Sequence, residues 1–331
     1  MSLTDSQASA GAGVSFQNGS DVVSFFQSKT GLHYIDWFNQ KCAGKQSWAG
    51  KQLGNSDAVK AAFLQIWSNI PDIFGGPSIN LLQFVGLMSI LTNEVGAALQ
   101  PVSELCGSQG LAYPFDAIPG KKRSYNSTEG NRLAGDLFFT DEEFWQAHGG
   151  LAPANTVRSR PELKAVWNGT SYPATLFPSV IDQNTTAFIQ QADFYKFRGR
   201  GFIQMTWRCN YVELVKYVQN YSGNHETILQ FKSRWAGKDP DTVCTVSTND
   251  DWDTLFQKTD LIVASRAVGL HNEAKGNGYL KLATDAATLA VMNDVMGSFY
   301  RMGLKISGGN TYAELFTNRV IQVLTTLNYL G

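Results

Sequence analysis

The chain has 331 residues, of which 43% are apolar and 12% aromatic, enough for a substantial core in one large domain or two smaller ones. Its charge is balanced, with 27 basic and 28 acidic residues. This balance excludes the strong positive field of a typical nucleic-acid-binding protein, so no nucleic-acid partner is predicted.

The N-terminal segment is small and polar and lacks the basic and apolar regions of a secretory signal. No uninterrupted apolar stretch reaches the length of about 18 residues that spans a bilayer. We therefore expect synthesis in the cytoplasm without a signal peptide, and no membrane insertion. The composition of residues 1–19 predicts disorder.

The cysteines and histidines show no metal-binding pattern. The cysteines lie far apart without a CxxC pair, which favours buried free thiols over a zinc site or a disulfide framework. They are Cys42, Cys106, Cys209 and Cys244. The four histidines lack metal-ligand spacing, so neither a metal nor another cofactor is predicted.

The first third of the chain reads as helices separated by loops. A helix is predicted over 21–29, a loop over 39–55, and a second helix that starts after Ser56 as its N-cap and stops at Pro71. The most apolar helix of the chain opens at Pro77-Ser78 and ends near Asn93-Glu94. A long polar tract follows, with short helices predicted at 140–148 and 183–194.

The remaining sequence is again mostly helical. Residues 202–207 alternate in a way that predicts a short strand. Further helices are predicted over 211–221, 251–269, 281–302 and 312–328. Together these elements predict one mainly α domain, with two helical lobes around a cleft and a small strand element. Residues 20–78 are interpreted as an N-terminal helical extension and residues 79–331 as the main domain.

Glu94 lies on the apolar side of its helix. Phe84, Leu87, Leu91 and Glu94 fall at i, i+3, i+7 and i+10, which places them on one face. Burial raises the pKa of a carboxyl group, and a carboxylic acid protonated near neutral pH can donate a proton to a leaving oxygen. The alternative interpretation is a helix-terminal glutamate that turns out to solvent.

The segment FRGRGFIQMTWRCNY, residues 197–211, is rich in glycine and polar groups. Two glycines around Arg200 permit a tight backbone. In an extended segment Gln204 and Thr206 share one face, with Asn210 one turn further on, and such groups suit sugar hydroxyls and an ordered water. The alternatives are an arginine-glycine patch for nucleic acid and a plain β-turn.

This segment resembles the YxGRGxIQLTxxxNY signature of family 19 glycoside hydrolases, which include chitinases and phage endolysins of the lysozyme superfamily. In that family the motif follows a helix that ends in a His-Glu-(Ser/Thr)-Gly element with the catalytic acid. Residues 93–96, Asn-Glu-Val-Gly, match that element. The family's second glutamate and its Ala-Tyr loop are matched by Glu104 and Ala112-Tyr113.

The resemblance continues to the C-terminus. The family's Ile-Asn-Gly-Gly turn is matched by residues 306–309, Ile-Ser-Gly-Gly, and its Arg-Val helix by Arg319-Val320. The matches run from about residue 79 to 328 in the family's order. The sequence departs from the family at Asn93, where a histidine is usual, at Val95, and at Ser307, where the family has an asparagine.

The resemblance implies a lysozyme-like α+β fold for residues 79–331 and an inverting hydrolase. In such enzymes one carboxylic acid protonates the glycosidic oxygen and a second carboxylate, about 6.5–9.5 Å away, activates water. It implies Glu94 as the acid, Glu104 as the base and Thr206 as a group that positions the water. Asp116 and Glu129 are alternatives for the base. The substrate-binding residues it implies are Gln204, Asn210, Tyr113, Ser307 and Arg319.

Arg319 falls at the edge of an apolar face between Leu315 and Val323. A buried arginine needs an acidic partner. The resemblance makes Glu94 or its neighbour that partner, and a surface salt bridge is the alternative.

Three functions are compatible with these residues. The first is a peptidoglycan hydrolase of the muramidase or endolysin type, made without a signal peptide and acting on the cell wall after release, export or injection. The second is a chitinase. The third is a catalytically impaired structural or binding component of a phage or injection particle, with a protein partner in that particle.

Overall fold

The structure, a computed structural model, describes residues 10–104, 144, 146, 195–275, 280–281 and 297–328. These residues are mainly helical, which confirms the predicted fold class at that level. The first half of the described elements comprises β1 (Ser15–Phe16), α1 (Gly19–Thr30), α2 (Tyr34–Lys41), α3 (Asp57–Ser68), α4 (Ile70–Phe74), β2 (Ile79–Asn80), α5 (Leu81–Glu94) and β3 (Val102–Ser103). The second half comprises β4 (Arg200–Gly201), α6 (Arg208–Gln219), α7 (Glu226–Trp235), α8 (Pro240–Val246), α9 (Asn249–Gln257), α10 (Ile262–Ala274), α11 (Ser298–Ser307) and α12 (Asn310–Thr326).

The chain forms two compact units. Unit 1 comprises residues 1–102, 201–203 and 256–331, and unit 2 comprises residues 103–200 and 204–255. Helix α5 packs both on the N-terminal helices and on the C-terminal α12, and all of these helices belong to unit 1. Of the part that the structure describes, no helix is long and apolar enough to cross a membrane.

Helix α5 forms the centre of unit 1. Its N-terminus is fixed by a capping box, in which Asn80 accepts from the Gln83 backbone and the Gln83 side chain accepts from the Asn80 N–H. Around its Phe84 ring lies an aromatic cluster of Phe16, Phe26, Tyr34, Phe63 and Trp67. Since these rings come from β1, α1, α2 and α3, the N-terminal helices are part of the core that holds α5.

Residues 1–19 were expected to be disordered, but residues 10–19 have a defined structure. Ser15 and Phe16 form β1 and pair antiparallel with Asn80 and Ile79 of β2. The physical reason is the burial of the Phe16 ring, an effect of one residue that the average composition of residues 1–19 does not show. Residues 1–9 lie outside the described part of the chain.

The helices α11 and α12 form a close antiparallel pair in unit 1. A Cβ at Gly303 would lie 2.8 Å from the Ala313 Cα, so the two helices approach to a distance that only glycine permits. The turn between them contains Gly308 in the left-handed region at φ 74°, which ends α11. The Ile-Ser-Gly-Gly segment is therefore a helix-to-helix turn, and it places the start of α12.

Unit 2 is organised around two buried arginines. Arg200 is fully buried and donates from Nε to Asp253 Oδ1 at 2.7 Å, while Arg198 donates to Asn249 Oδ1 at 2.6 Å. The Tyr211 hydroxyl donates to the Arg198 carbonyl at 2.7 Å. Because both arginines are buried and paired, the arginine-glycine segment is a structural core and not an exposed basic patch.

The predicted strand over 202–207 is wrong. Arg200 and Met205 exchange two backbone hydrogen bonds of 3.1 and 2.9 Å around a turn, in which Gln204 has φ 52°. The β-turn, the alternative interpretation, is confirmed. Gly201 has φ 85°, and a Cβ there would meet the Phe256 ring at 2.9 Å, so the second glycine of the motif is required by both conformation and space.

Several other elements differ from prediction at the level of boundaries. Helix α2 extends to Lys41, into the expected loop over 39–55. Pro71 lies in the first turn of α4 and so begins a helix instead of only ending one. The predicted helix 251–269 is two helices, α9 and α10, and helices α2, α4, α7 and α8 were not predicted. Most of the predicted segments 140–148, 183–194 and 281–302 lies outside the described residues.

The prediction that the cysteines are buried holds for two of the three that the structure describes. Cys42 and Cys244 are buried, whereas Cys209 is exposed. Cys209 is the second residue of α6 and lies on its solvent side, which its spacing from the other cysteines could not reveal. Cys106 lies outside the described residues.

Candidate active site

Helix α5 ends at Glu94, which lies at the surface of unit 1. Its side chains Phe84, Leu87 and Leu91 are fully buried, as the helical spacing predicts. Glu94 is the last residue of the helix and is half-buried. The apolar face therefore anchors the helix, and the carboxylate at its end remains accessible.

Asn93 connects Glu94 to a buried arginine. The Asn93 amide donates from Nδ2 to Glu94 Oε1 at 2.8 Å and accepts at Oδ1 from Arg319 Nη1, also at 2.8 Å. This two-bond relay fixes both the amide and one oxygen of the carboxylate. Asn93, which stands where the resembling family has a histidine, thus keeps a hydrogen-bond donor next to the acid.

Arg319 is itself held from two sides. It is 5% exposed, donates from Nε to the Ser47 carbonyl at 3.0 Å, and lies over the Trp48 ring at 4.9 Å. Burial lowers the pKa of its guanidinium. The surface salt bridge is excluded by this burial. The resemblance names Glu94 or its neighbour as the partner of Arg319. Arg319 donates to that neighbour, Asn93, which in turn donates to the Glu94 carboxylate.

A cavity of about 360 Å³ in unit 1 opens onto Glu94. Its polar lining residues come from the N-terminal and the C-terminal segments of unit 1. Three isoleucine side chains complete the wall of the cavity. The lining residues are Ile90, Asn93, Glu94, Ile203, His271, Ile306, Ser307 and Tyr312. This mixture of a carboxylate, neutral hydrogen-bonding groups and apolar wall is typical of sites for small polar ligands.

Two of these lining residues, Tyr312 and His271, were not predicted. The Tyr312 hydroxyl is buried, and burial together with the Glu94 charge raises the pKa of its phenol. Burial and the nearby Lys275 lower the pKa of His271 to about 4, so its imidazole is neutral at pH 7. Neither has a sequence signal, because each reaches the pocket only through the packing of α10 and α12.

Ser307, one of the predicted substrate-binding residues, lines the same cavity. Its hydroxyl accepts from the Gly309 N–H at 3.1 Å and is exposed to solvent. The serine therefore stabilises the turn after α11, and its hydroxyl still faces the cavity that contains Glu94.

A second group of predicted residues lies in unit 2 around Glu104. The Glu104 carboxylate accepts from the Gly199 N–H at 3.1 Å, and the Gly199 carbonyl accepts from the Glu104 N–H at 2.9 Å. A Cβ at Gly199 would lie 2.7 Å from Gln204 Oε1 and 2.9 Å from Glu104 Cδ. The first glycine of the motif is thus required for the approach of both side chains, a role that the sequence did not assign to it.

Gln204, Thr206 and Asn210 support the turn that contains them. The Thr206 hydroxyl donates to the Gln204 carbonyl at 2.8 Å, and Asn210 Nδ2 donates to the Thr206 carbonyl at 2.6 Å. The expected arrangement, an amide and a hydroxyl side by side on a strand face, is not present, because the segment turns. Gln204 Oε1 is buried and accepts no hydrogen bond from the described residues.

The other predicted residues fall outside the described part of the chain. These are Tyr113 and the alternative bases Asp116 and Glu129. Within the described ranges, no group of three His, Cys, Asp or Glu side chains is placed to hold a metal ion.

Unit 1 also contains a larger cavity, of about 750 Å³, on the other side of α12. Its lining includes Lys41, Lys45 and Tyr300, and Glu314 is its carboxylate. Glu314 belongs to none of the predicted catalytic elements, so the smaller cavity is the candidate site. Comparisons of the chain with protein-family models, curated proteins and solved structures gave no match.

Proposed function

We propose that this protein is a glycoside hydrolase that cleaves β-1,4 links of an amino-sugar polymer, with Glu94 as the proton donor. The observation that carries the proposal is the position of Glu94: its carboxylate lines a cavity of about 360 Å³ and is oriented by the Asn93–Arg319 relay. An oriented carboxyl group beside a cavity is what general acid catalysis at a glycosidic oxygen requires.

The sequence resemblance supplies the substrate class. The Glu94 element, the Arg-Gly motif and the Ile-Ser-Gly-Gly turn follow one another in the order of family 19 glycoside hydrolases. Peptidoglycan is the proposed polymer and chitin the alternative, since the family that the sequence resembles includes both endolysins and chitinases. The mainly helical fold is compatible with a lysozyme-like architecture, which is part of this proposal.

The proposed reaction is an inverting hydrolysis. Glu94 gives its proton to the glycosidic oxygen as the bond from that oxygen to the anomeric carbon breaks. A water molecule adds to the anomeric carbon from the opposite face and loses its proton to a second carboxylate. The resemblance assigns that second carboxylate to Glu104, with Asp116 and Glu129 as alternatives.

The decisive experiment compares wild type with Glu94→Gln on peptidoglycan sacculi and on chitin oligomers. The amide keeps the size of the side chain but has no acidic proton, so we expect a loss of roughly 100-fold or more in reducing-sugar release. Glu213→Gln, on an exposed position of α6, is the matched control and is expected to retain full activity.

Each result has a defined meaning. The cleaved polymer decides between a peptidoglycan hydrolase and a chitinase, and proton NMR of the first product shows whether its anomeric configuration is inverted. Equal activity of wild type and Glu94→Gln would contradict the assignment of the acid. No activity of the wild type on either polymer would favour a structural or binding role.

A further inference from the structure

The Tyr312 hydroxyl is buried beside the Glu94 and Asn93 side chains, yet it makes no hydrogen bond of good geometry to the described residues. It lies in the wall of the cavity that contains Glu94. An unpaired buried hydroxyl is destabilising, and native structures rarely retain one without a reason. Its neighbour Glu94 is a group that this hydroxyl can serve as a hydrogen-bond donor.

The proposed reaction changes the charge of Glu94. As the general acid of that reaction Glu94 gives up a proton, and it is then a carboxylate beside Ile90, Ile203 and Ile306. A charge against apolar side chains requires hydrogen-bond donors. Asn93 already supplies one donor to Oε1. A second donor would favour the carboxylate further and so assist the proton transfer.

Tyr312 meets the requirements for that donor. Burial and the negative charge of Glu94 raise the pKa of its phenol, so the hydroxyl stays protonated throughout the neutral range. The side chain is fixed on α12, where its ring stacks on Phe316 with centroids 6.4 Å apart. The same helix contains Arg319, so one rigid element presents both the relay and the hydroxyl.

We propose that Tyr312 is a positioning residue for the acid, and that its hydroxyl donates a hydrogen bond to the Glu94 carboxylate formed when the proton leaves. The inference rests on the proposed function for its catalytic meaning. The bond between the hydroxyl and the carboxylate is a property of the protein alone and can be measured without substrate.

The other polar and charged groups near Glu94 come from helices α5, α10 and α12 and from Lys51. Helix α5 contributes Asn93, and α12 contributes Arg319, which acts through that amide. Helix α10 contributes His271, which is neutral at pH 7. Lys51 donates to the Asn93 backbone carbonyl at 3.3 Å. Replacing Tyr312 by phenylalanine leaves all of these groups in place and removes one hydroxyl.

The test is a direct titration of Glu94. The full-length protein is labelled with carboxyl-¹³C glutamate, and the Glu94 resonance is assigned by its absence from Glu94→Gln. We expect Tyr312→Phe to raise the pKa of Glu94 by roughly one to two units, since a hydrogen bond to a charged group is lost. Tyr300→Phe, which removes a hydroxyl from the larger cavity, is the matched control and should leave the titration unchanged.

Activity gives a second measurement. On the polymer that the wild type cleaves, Tyr312→Phe should lower kcat about 10-fold or more, leave KM nearly unchanged, and move the alkaline limb of the pH profile upward with the pKa of Glu94. Tyr312→Met, which also lacks a donor, repeats the titration if the phenylalanine variant is unstable. An unchanged Glu94 titration in the variants overturns the inference, whereas an inactive wild type with a shifted titration overturns only the proposed function.

Discussion

Asn93 and Glu94, neighbours at the end of α5, are joined through their side chains by a hydrogen bond of 2.8 Å from Asn93 Nδ2 to Glu94 Oε1. Adjacent helical residues ordinarily point in different directions. The contact exists because Arg319 holds the other end of the Asn93 amide. The orientation of the proposed acid is therefore set by a residue of a distant helix.

This relationship predicts the effect of Asn93→Asp. The aspartate can still accept from Arg319 but cannot donate to Glu94, and it adds a like charge beside it. We expect kcat/KM to fall roughly 10–100-fold on the polymer that the wild type cleaves. Asn220→Asp, at the exposed end of α6, serves as the control and should be neutral. Full activity of Asn93→Asp would show that the relay does not orient the acid.

Glu104→Gln tests the assignment of the base. The amide oxygen can still accept from the Gly199 N–H, so we expect the free energy of unfolding to change by less than about 0.5 kcal/mol. The amide cannot take a proton from water, so kcat should fall roughly 100-fold or more. Kinetics and thermal unfolding measured on the same sample check both parts. Retained activity would transfer the role to Asp116 or Glu129, to be tested as Asp116→Asn and Glu129→Gln.

Asp253→Asn is predicted to destabilise unit 2. Burial alone raises the pKa of Asp253, but Arg200, Ser103 and Arg198 outweigh it, so the pKa is lowered. The asparagine leaves the fully buried Arg200 without its charge partner, which should cost roughly 2–4 kcal/mol in denaturant unfolding.

The stabilisation that Asp253 gives to the folded state is predicted to disappear at low pH. Because the folded pKa of Asp253 is lowered, its contribution is present above the unfolded value of about 3.8 and is lost as the pH falls below it. Asp36→Asn, which removes a half-exposed pair with Lys60, is the control and should cost less than about 1 kcal/mol. Equal losses in the two variants would contradict the central role of Asp253.

His271 predicts an acid sensitivity of unit 1. Burial and the nearby Lys275 lower its pKa from 6.5 to about 4, so the folded state binds its proton less readily than the unfolded state. Stability should therefore decline as the pH falls from about 6.5 to about 4, by on the order of 2 kcal/mol. In His271→Gln, urea unfolding across this range should show a flatter dependence on pH. His225→Gln is the control, and a slope unchanged by His271→Gln would falsify the prediction.

Local sequence determined the helices that carry the site. The apolar run that ends at Glu94 and the cap at Ser56 act within one or two turns, so they can be read from neighbouring residues. The turn at the Ile-Ser-Gly-Gly segment was expected from the resemblance, and Gly308 at positive φ ends α11 there. The apolar run placed Glu94 at the end of its helix, where the structure has it, whereas Ser307 is the last residue of α11 and not part of the turn itself.

Tertiary packing decided what surrounds Glu94. Arg319 and Asn93 are 226 residues apart, and their hydrogen bond exists only because α5 and α12 pack together. Tyr312 and His271 enter the same cavity by packing alone, without a local pattern to mark them. The segment 202–207 alternates like a strand, but the hydrogen bonds between Arg200 and Met205 close it into a turn.

The sequence by itself therefore determined which carboxylate ends the apolar helix, since periodicity and capping are local properties of the chain. Only the tertiary structure decided how that carboxylate is held and what faces it. Hydrogen bonds and burial between distant residues depend on packing, and packing is not encoded at any single position.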